Sequence, residues 1–420
     1  MRTVVRNAHL IDPARDIDGP GDIWIEDGRI QAVGSIGDVA GDEFDAAGRI
    51  VAPGFFDIHV HLREPGTEEA ETIRTGGEAA VAGGFTAVAA MPNTRPPIDS
   101  ASMAQFVVAE GRRHSPARVF PIGAITRGQE GKHLAEIGEM VDAGIVGVSD
   151  DGKPVMDARL FRRALEYSRL FDLPVIQHCE DLALSANGVM NEGVVSTRLG
   201  LKGIPAAAED AMVARDLILT GLTSARYHVA HVSTAAAVGM VREAKARGLR
   251  VTAEAAPHHF TLTEAAVSEY DTNAKMKPPL RSQLDVDAIV EGLRDGTIDA
   301  IATDHAPHHA NLKMLDFDQA PFGITGLETA VGLALTRLGL PIRRIIELFS
   351  TNPQRIMRVE PWGLFRGSPA DLTVIDPVRE WTFDVRKSRS LSRNTPFDGW
   401  KFRGQAVATI VAGSVVYENR

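Results

Sequence analysis

The sequence predicts an α/β protein, a (β/α)8 barrel with a small β-sandwich domain formed from both termini. In the middle of the chain, from about residue 51 to 355, short apolar segments alternate with stretches whose apolar residues recur at helical spacing. Strands that are nearly all apolar are typical of a parallel sheet buried on both faces. Eight such βα units in about 300 residues fit one closed barrel.

The two ends of the chain have a different residue pattern from the middle, and this pattern predicts the second domain. Segments such as "TVVRNAHLID", "GDIWIEDGRIQAVG" and "GWKFRGQAVATIVAGSVVYENR" carry β-branched runs separated by Asp-Gly and Gly turns. We therefore predict one composite β domain of residues 1–52 and 356–420, beside a barrel of residues 53–355. A doubly wound open sheet is the weaker alternative, because no convincing Gly-rich phosphate turn follows the first strand.

The predicted elements of the middle region follow one another regularly. The eight strands are "IVAPGFFDIHVH", "FTAVAAMPN", "RVFPIGAIT", "IVGVSDD", "LPVIQHCE", "RYHVAHVS", "RVTAEAAPHH" and "IDAIATDHAP". Between them lie stretches such as "ETIRTGGEAAVAGG" and "DARLFRRALEYSRLF", which have the apolar spacing of helices.

Composition narrows the class of protein. The chain is 44% hydrophobic and 24% charged, close to a soluble globular protein, and its net charge of -10 argues against binding nucleic acid or an acidic membrane surface. A single cysteine, Cys179, excludes an internal disulfide and suits a reducing compartment. The sequence shows neither a signal-peptide apolar region nor an 18-residue apolar run, so we expect a cytoplasmic protein.

Polar residues stand where the apolar strands end. They are His59 and His61 on strand one, Asn93 after strand two, Asp150 and Asp151 on strand four, His178 on strand five, His231 on strand six, and Asp304 with His305 on strand eight. The carboxyl ends of barrel strands form one rim, where the catalytic groups of barrel enzymes lie. Four histidines and two carboxylates at that rim predict a site for two metal ions, with Asp151 able to bridge ions about 3.5 Å apart.

Each of these residues also has a structural interpretation. Any single strand-end histidine is more often a hydrogen-bonded structural group, Asp150 and Asp151 could form a turn with Gly152, and Asp304 could cap a helix. Six candidates at the same end of five strands favour the metal site. Imidazole and carboxylate ligands suit Zn, Mn, Fe or Co.

The motifs "DIHVHLREPG", "MPNT", "SDDG", "HCED", "AHVST", "KPPLR" and "ATDHAPH" resemble the amidohydrolase superfamily, and within it the class I dihydroorotases. The resemblance runs through essentially the whole chain. It implies the reversible cyclisation of N-carbamoyl-L-aspartate to L-dihydroorotate plus water, a step of pyrimidine (UMP) synthesis.

The resemblance also implies roles for individual residues. Two Zn²⁺ ions per subunit are expected, with His59 and His61 on one ion, His178 and His231 on the other, and Asp151 bridging both. Asp304 would bind the first ion and act as general acid and base.

On the substrate side, the resemblance implies contacts from His61, Arg63, Asn93, His308, Phe322 and Gly323. Arg63 follows His61 by two residues, so we expect its guanidinium to hold a substrate carboxylate; a surface ion pair with Glu64 or Glu68 is its structural alternative. Lys277 stands where the family usually has an asparagine that touches the substrate, and we assign it to the same contact. We expect the stretch from His308 to Phe322 to be mobile until a ligand binds.

Two rival functions follow from the same motifs. A hydantoinase, dihydropyrimidinase or allantoinase would be expected to bridge its metals with a carboxylated lysine, whereas strand four ends in "SDDG", with Lys153 beyond it. A catalytically inactive subunit that assembles with aspartate carbamoyltransferase would have lost metal ligands, and all six are present. We expect a homodimer, with association with aspartate carbamoyltransferase possible.

Overall fold

The computed structural model describes residues 2–419 and has an α/β fold. Its strands are β1 (Arg2–Asp12), β2 (Ile17–Glu26), β3 (Arg29–Gly34), β4 (Asp42–Asp45), β5 (Ile50–Pro53), β6 (Phe55–Val60), β7 (Phe85–Ala90), β8 (Arg118–Pro121), β9 (Val148–Ser149), β10 (Val175–Gln177), β11 (Met190–Asn191), β12 (Gly203–Ile204), β13 (Tyr227–Val229), β14 (Val251–Ala255), β15 (Ala300–Ile301), β16 (Leu372–Thr382), β17 (Lys401–Val411) and β18 (Ser414–Glu418).

The α-helices lie mostly between the strands of the middle region. They are α1 (Ile73–Ala82), α2 (Ala101–His114), α3 (Ile137–Asp142), α4 (Ala158–Ser168), α5 (Leu182–Ser185), α6 (Val194–Leu199), α7 (Ala207–Thr223), α8 (Ala235–Ala246), α9 (Gln283–Asp295), α10 (Ala310–Lys313), α11 (Ala330–Arg337), α12 (Ile342–Ile346) and α13 (Asn352–Met357). Several begin at a side-chain cap: Thr234 accepts a hydrogen bond from the backbone N–H of Ala237 at the start of α8. No helix within residues 2–419 is long and apolar enough to cross a membrane.

Each of the eight predicted strand segments contains one strand of two sheets whose strands pair in parallel. One sheet has the order β6-β7-β8, and a second has the order β15-β14-β13-β10-β9. Two single parallel bridges link these sheets, from Gly123 to Val148 and from Val60 to His305. Because all eight strands run the same way, their carboxyl ends face the same side of the molecule.

The two ends of the chain contribute to one sheet. Its order is β18-β17-β16-β5-β1-β2-β3, and β4 pairs with β1. One face of this sheet buries Val5, Leu10, Ile23 and Leu372 in a core of their own. Other side chains, Ile50 and Phe402 among them, belong to the large core shared with the parallel strands, which joins the two parts of the molecule.

The first predicted strand is divided in two by the structure. Residues 50–53 form β5 of the terminal sheet, and β6 begins at Phe55. Gly54 separates them: its carbonyl accepts from Trp362 Nε1 and Ser350 Oγ at 2.9 Å, and a Cβ at this position would lie 2.2 Å from Thr86 Oγ1. Both strands are apolar and buried, so the hydrophobic pattern alone carries no sign of the break.

Candidate metal centre

The six predicted ligands lie together at the carboxyl ends of the parallel strands. They form three overlapping groups whose ligand atoms lie within 4.8 Å of one another: His59, His61 and Asp151; His59, His231 and Asp304; and Asp151, His178 and His231. All six side chains are buried. We call these six residues the histidine–aspartate cluster.

Asp151 stands at the centre of the cluster. Its Oδ1 lies 3.5 Å from His59 Nε2, 3.7 Å from His178 Nδ1 and 3.6 Å from His231 Nε2, and its Oδ2 lies 3.6 Å from His61 Nε2. One carboxylate therefore faces histidines from both predicted ion sites, which is the position that a bridging ligand needs.

Three of the histidines are oriented by partners on their outer nitrogens. Nδ1–H of His59 donates to Glu254 at 2.6 Å, Nδ1–H of His61 donates to Asn93 Oδ1 at 2.9 Å, and Nε2–H of His178 donates to Glu180 at 3.0 Å. In each ring the other nitrogen then points into the cluster with its lone pair. Metal-binding histidines commonly have this arrangement, because the outer hydrogen bond fixes the tautomer.

Inside the cluster, polar atoms are left without partners. His59 Nε2 and Asp151 Oδ1 have no hydrogen bond to any group within residues 2–419, although both are buried. By contrast, Nδ1 of His178 and Nε2 of His231 are hydrogen-bonded to each other at 2.9 Å. Since a buried polar atom without a partner costs about 1–3 kcal/mol, this interior fits a cation bound by nitrogen and oxygen.

Asp304 is the member of the cluster closest to His61, with 3.0 Å between Oδ1 and His61 Nε2. Asp304, His231 and Arg63 also have positive φ angles, of 49°, 30° and 61°. Strained backbone of this kind is concentrated at functional sites.

Asp150, next to the bridging position, faces away from the cluster. Its Oδ1 accepts from the backbone N–H of Ile125 at 2.8 Å and of Thr126 at 3.1 Å. The two aspartates of "SDDG" therefore have different roles, and only Asp151 is available to a metal ion.

Glu254 and Glu180 are site residues that the sequence analysis missed. Glu254 is a buried carboxylate inside an apolar strand, and its Oε2 meets His228 Nε2 at 3.1 Å. Its presence in "VTAEA" was the available signal, because an isolated charge in a buried strand needs a partner. Glu180 follows His178 in "HCED", where it could equally have been a loop residue.

A cleft of about 170 Å³ opens onto the cluster, and the predicted substrate residues Arg63, Asn93, Lys277, His308 and Phe322 line it. It is smaller than the roughly 300–1,000 Å³ typical of pockets for drug-sized ligands, so it suits a small molecule. A larger cavity of about 570 Å³, between α2 and β8, contains none of the predicted site residues.

Arg63 is held at the edge of this cleft. Its Nε–H donates to the carbonyl of Pro307 at 3.0 Å, and Nη2 lies 3.4 Å from His308 Nε2. No ion pair joins it to Glu64 or Glu68 in the described part of the chain, contrary to the structural alternative. Burial lowers the pKa of Arg63 to about 10, so the guanidinium is still charged at neutral pH.

Lys277 also lies at the cleft, but its ammonium is engaged. Nζ is 3.0 Å from Oε1 of Glu180 and 5.4 Å from the centre of the Phe322 ring. It therefore stands between the predicted closing loop and the histidine–aspartate cluster.

The loop that carries Phe322 and Gly323 is fastened by two buried lysines, which we call the lysine anchor. Lys275 Nζ donates to the carbonyls of Phe317 at 2.5 Å and Ala320 at 2.6 Å, with that of Asp318 at 3.3 Å. Lys313 Nζ donates to the carbonyls of Pro321 at 2.9 Å and Gly323 at 3.2 Å. These contacts tie the loop to two side chains that lie beneath it.

Asn394, from the C-terminal part of the chain, completes this environment. Its Oδ1 accepts from the N–H of His308, and its Nδ2 donates to the carbonyls of Ala306 and Gly323, each at 3.0 Å. A Cβ on Gly323 would lie 2.5 Å from the carbonyl oxygen of Ala306, so this position requires glycine.

Comparison with known sequences points to one family. The family model described as "Dihydro-orotase-like" matches residues 48–237. A protein named dihydroorotase from Solibacter usitatus (strain Ellin6076) is 55% identical, over 100% of this chain and 99% of the relative. Another so named, from Geobacter sp. (strain M21), is 51% identical over the full length of both chains.

Solved structures show a similar fold. The L-hydantoinase (dihydropyrimidinase) from Arthrobacter aurescens has a TM-score of 0.89 and 25% identity, over 99% of this chain and 96% of that one. The dihydropyrimidinase from Brevibacillus agri NCHU1002 has a TM-score of 0.86 over 100% of this chain and 95% of that one; at 22% identity it supports the fold alone.

Proposed function

The chain belongs to the dihydroorotase family, and from this premise we propose that it catalyses the reversible cyclisation of N-carbamoyl-L-aspartate to L-dihydroorotate plus water with two Zn²⁺ ions and Asp304 as general acid and base. The reaction belongs to pyrimidine biosynthesis. The observation that carries the site assignment is the position of Asp151, with histidines of both predicted ion sites within 3.7 Å of its carboxylate.

We assign the metal ligands as follows: His59, His61 and Asp304 would hold one ion, His178 and His231 would hold the other, and Asp151 would be shared by both. Bound Zn²⁺ polarises a carbonyl and makes water a nucleophile at neutral pH. The outward hydrogen bonds to Glu254, Asn93 and Glu180 support this assignment, because they leave the inner nitrogens free.

Asp304 is the residue that moves the proton. In ring opening, water attacks the ring amide carbonyl, Asp304 accepts its proton, the C–N bond breaks, and the same carboxyl returns the proton to the departing nitrogen. In ring closure these steps run backwards, so one residue serves both directions. Its place beside His61, facing the cleft, supports this role.

The substrate carboxylate is the partner we assign to Arg63. A planar guanidinium binds a carboxylate through two parallel hydrogen bonds. This guanidinium is held through Nε by Pro307 and through a longer contact of Nη2 with His308, which leaves N–H groups on Nη1 and Nη2 for a ligand. Asn93 and His308 flank it, and Phe322 with Gly323 closes over the ring. We assign a further substrate contact to Lys277.

A hydantoinase-type activity is the second candidate, since the structures compared above belong to such enzymes. The residue at the bridging position argues against it: Asp151 faces the histidines, while Lys153 is exposed to solvent. An inactive assembly subunit is disfavoured because all six ligands are present and buried.

We further propose that the parallel strands close into the (β/α)8 barrel of residues 53–355, beside a β-sandwich domain of residues 1–52 and 356–420. The two parallel sheets and the bridges Gly123–Val148 and Val60–His305 support this arrangement. We propose a cytoplasmic homodimer, able to associate with aspartate carbamoyltransferase. Light scattering of the purified protein, alone and mixed with that enzyme, tests the assembly.

The experiment that tests the function is a substrate comparison. The purified protein is assayed with L-dihydroorotate, N-carbamoyl-L-aspartate, hydantoin and allantoin, before and after removal of metal with a chelator. We expect turnover of the first two only, loss on chelation, recovery with Zn²⁺, and two equivalents of metal per chain. A metal-loaded protein that leaves dihydroorotate unchanged would refute the proposal.

A further inference from the structure

We propose that Lys277 is a positioning residue for the metal centre: it holds Glu180, and Glu180 in turn holds the ring of His178. The inference rests on the assignment of His178 as a metal ligand in the proposed function. It gives this lysine a role beyond contact with the substrate.

The three side chains form a continuous chain of polar contacts. Oε2 of Glu180 accepts the Nε2–H of His178 at 3.0 Å, and Oε1 of the same carboxylate lies 3.0 Å from Lys277 Nζ. Within the described residues, Oε1 has no hydrogen bond, and the charged group beside it is the ammonium of Lys277. The Ser185 hydroxyl also stabilises this carboxylate, but less than Lys277 does. The carboxylate side chain of Glu180 is only 5% exposed.

A buried carboxylate in this position depends on both contacts. Without the ammonium, the buried Glu180 carboxylate would lose the cation that faces Oε1, and rotating away from His178 would relieve the cost of its buried charge. The ring of His178 would then lose the acceptor that keeps the proton on Nε2 and the lone pair on Nδ1. Metal affinity on the His178 side should fall as a result.

The opposite side of the metal centre is built in the same way. There, Glu254 accepts from His59 with Oε1, and its second oxygen, Oε2, meets His228 Nε2 at 3.1 Å. His228 is a completely buried strand residue, whereas Lys277 reaches Glu180 from the edge of the cleft with 28% of its side chain exposed. Lys277 therefore contacts the second oxygen of Glu180, as His228 contacts the second oxygen of Glu254. Unlike His228, Lys277 does so from the cleft that the substrate would enter.

Lys275, two residues earlier, does not share this role. Its ammonium lies 4.6 Å from the centre of the same Phe322 ring, but it donates to backbone carbonyls of the loop. The two lysines therefore have different roles. Lys275 binds backbone carbonyls of the loop, and Lys277 contacts Glu180 beside the predicted metal ligands.

The test measures metal binding by the apo protein, independently of turnover. Apo wild type, Lys277→Met, Lys277→Arg, Glu180→Gln and the double variant are titrated with Co²⁺ and Zn²⁺ against a chromophoric chelator, and the Co²⁺ absorption spectrum is recorded. Lys277→Gln is prepared in parallel in case the methionine variant folds poorly. Lys202→Met, at an exposed lysine outside the cleft, is the matched control.

We expect Lys277→Met to weaken the binding of one ion about tenfold, at the lower end of the effect of residues that support metal ligands, and to leave the other unchanged. Lys277→Arg should restore most of the affinity. The double variant should bind no more weakly than Glu180→Gln, because both changes break the same chain of contacts. The control should match wild type.

Two results would overturn the inference. Wild-type metal affinity in Lys277→Met with a raised KM would make Lys277 a substrate contact only, and additive losses in the double variant would separate it from Glu180. Neither result depends on which cyclic amide the enzyme turns over. Failure of the wild type on dihydroorotate would refute the proposed function without deciding this question.

Discussion

Two buried polar groupings flank the same cleft, and they are built in opposite ways. In the histidine–aspartate cluster, two atoms that face inward, His59 Nε2 and Asp151 Oδ1, make no hydrogen bond in the described chain. In the lysine anchor, the ammonium groups of Lys275 and Lys313 donate to backbone carbonyls of one loop. Burial is similar in the two places, but hydrogen bonding is not.

The difference in hydrogen bonding distinguishes a binding site from a structural network. Buried polar groups are nearly always hydrogen-bonded, because leaving one without a partner costs about 1–3 kcal/mol. A cluster that contains buried polar atoms without hydrogen bonds is suited to binding an ion. A network whose polar atoms are all hydrogen-bonded stabilises the fold itself. Changes in the cluster should therefore reduce activity with little loss of stability, and changes in the anchor should do the reverse.

The largest expected effect comes from Asp304→Asn. The amide cannot accept and return a proton, so we expect kcat to fall by about a thousandfold or more, within the range attributed to general acid–base catalysis. The melting temperature should stay near that of wild type, because the change removes a buried charge from a cluster with several. Asp316→Asn, at an exposed residue of the closing loop, is the control. A loss of stability as large as the loss of activity would contradict the expectation that the cluster serves activity rather than folding.

Lys275→Met should have the converse effect. It removes the donor to the carbonyls of Phe317, Asp318 and Ala320, and we expect a loss of about 2–3 kcal/mol in the free energy of unfolding. Because Phe322 loosens with the loop, KM should rise while kcat changes little. Urea unfolding and amide exchange over residues 317–323 measure this.

The control for that variant is Lys132→Met, whose surface pair with Glu130 should contribute less than about 1 kcal/mol. Unchanged stability in Lys275→Met would show that the loop is held by its backbone alone. That result would favour the sequence-based prediction that this segment is mobile until a ligand binds.

The histidine–aspartate cluster was predictable because parallel strands bring their carboxyl ends together. A polar residue that ends an apolar strand, such as His178 or His231, then has neighbours on the adjacent strand ends, whatever their distance in sequence. The same reasoning placed Asp151 at the rim that carries the histidines. Pattern and topology were sufficient there.

Other parts of the site follow from contacts that leave no local pattern. Lys275 and Lys313 have the composition of surface residues, and only the loop folding back over them explains their burial. Asn394 contacts the N–H of His308 across 86 residues of sequence. The break at Gly54 was hidden because β5 and β6 are both buried, although in different sheets.

Glu254→Gln tests how far the cluster depends on its outer partners. An amide in place of the carboxylate presents an N–H to either His59 or His228, and one ring must change tautomer or lose its bond. We expect metal affinity to fall about 10- to 100-fold, as for other residues that orient metal ligands. Competition titration of the apo protein measures it, with the exposed Glu192→Gln as control. Unchanged affinity would mean that packing alone orients His59.

The smallest effect is a pH dependence within the lysine anchor. Burial lowers the pKa of Lys313 from its ordinary value of 10.5 to about 7; the nearby charge of Lys275 adds to this, and Asp271 opposes it. Between about pH 7 and 10 the unfolded chain then keeps a proton that the folded chain releases. The free energy of unfolding should therefore rise with pH in this window, and below pH 7 the contribution should be constant.

Lys313→Met and Lys313→Arg isolate the contribution of Lys313 to this pH dependence, since the first has no titrating group and the second keeps its charge throughout. Relative to either variant, wild type should gain at most about 1.4 kcal/mol of stability per pH unit from pH 7 to 9, measured by urea unfolding. A difference that stays flat would show that the carbonyls of Pro321 and Gly323 keep the ammonium protonated. Lys313 would then be charged from pH 7 to 9, and its hydrogen bonds to the two carbonyls would outweigh the free-energy cost of burying the ammonium.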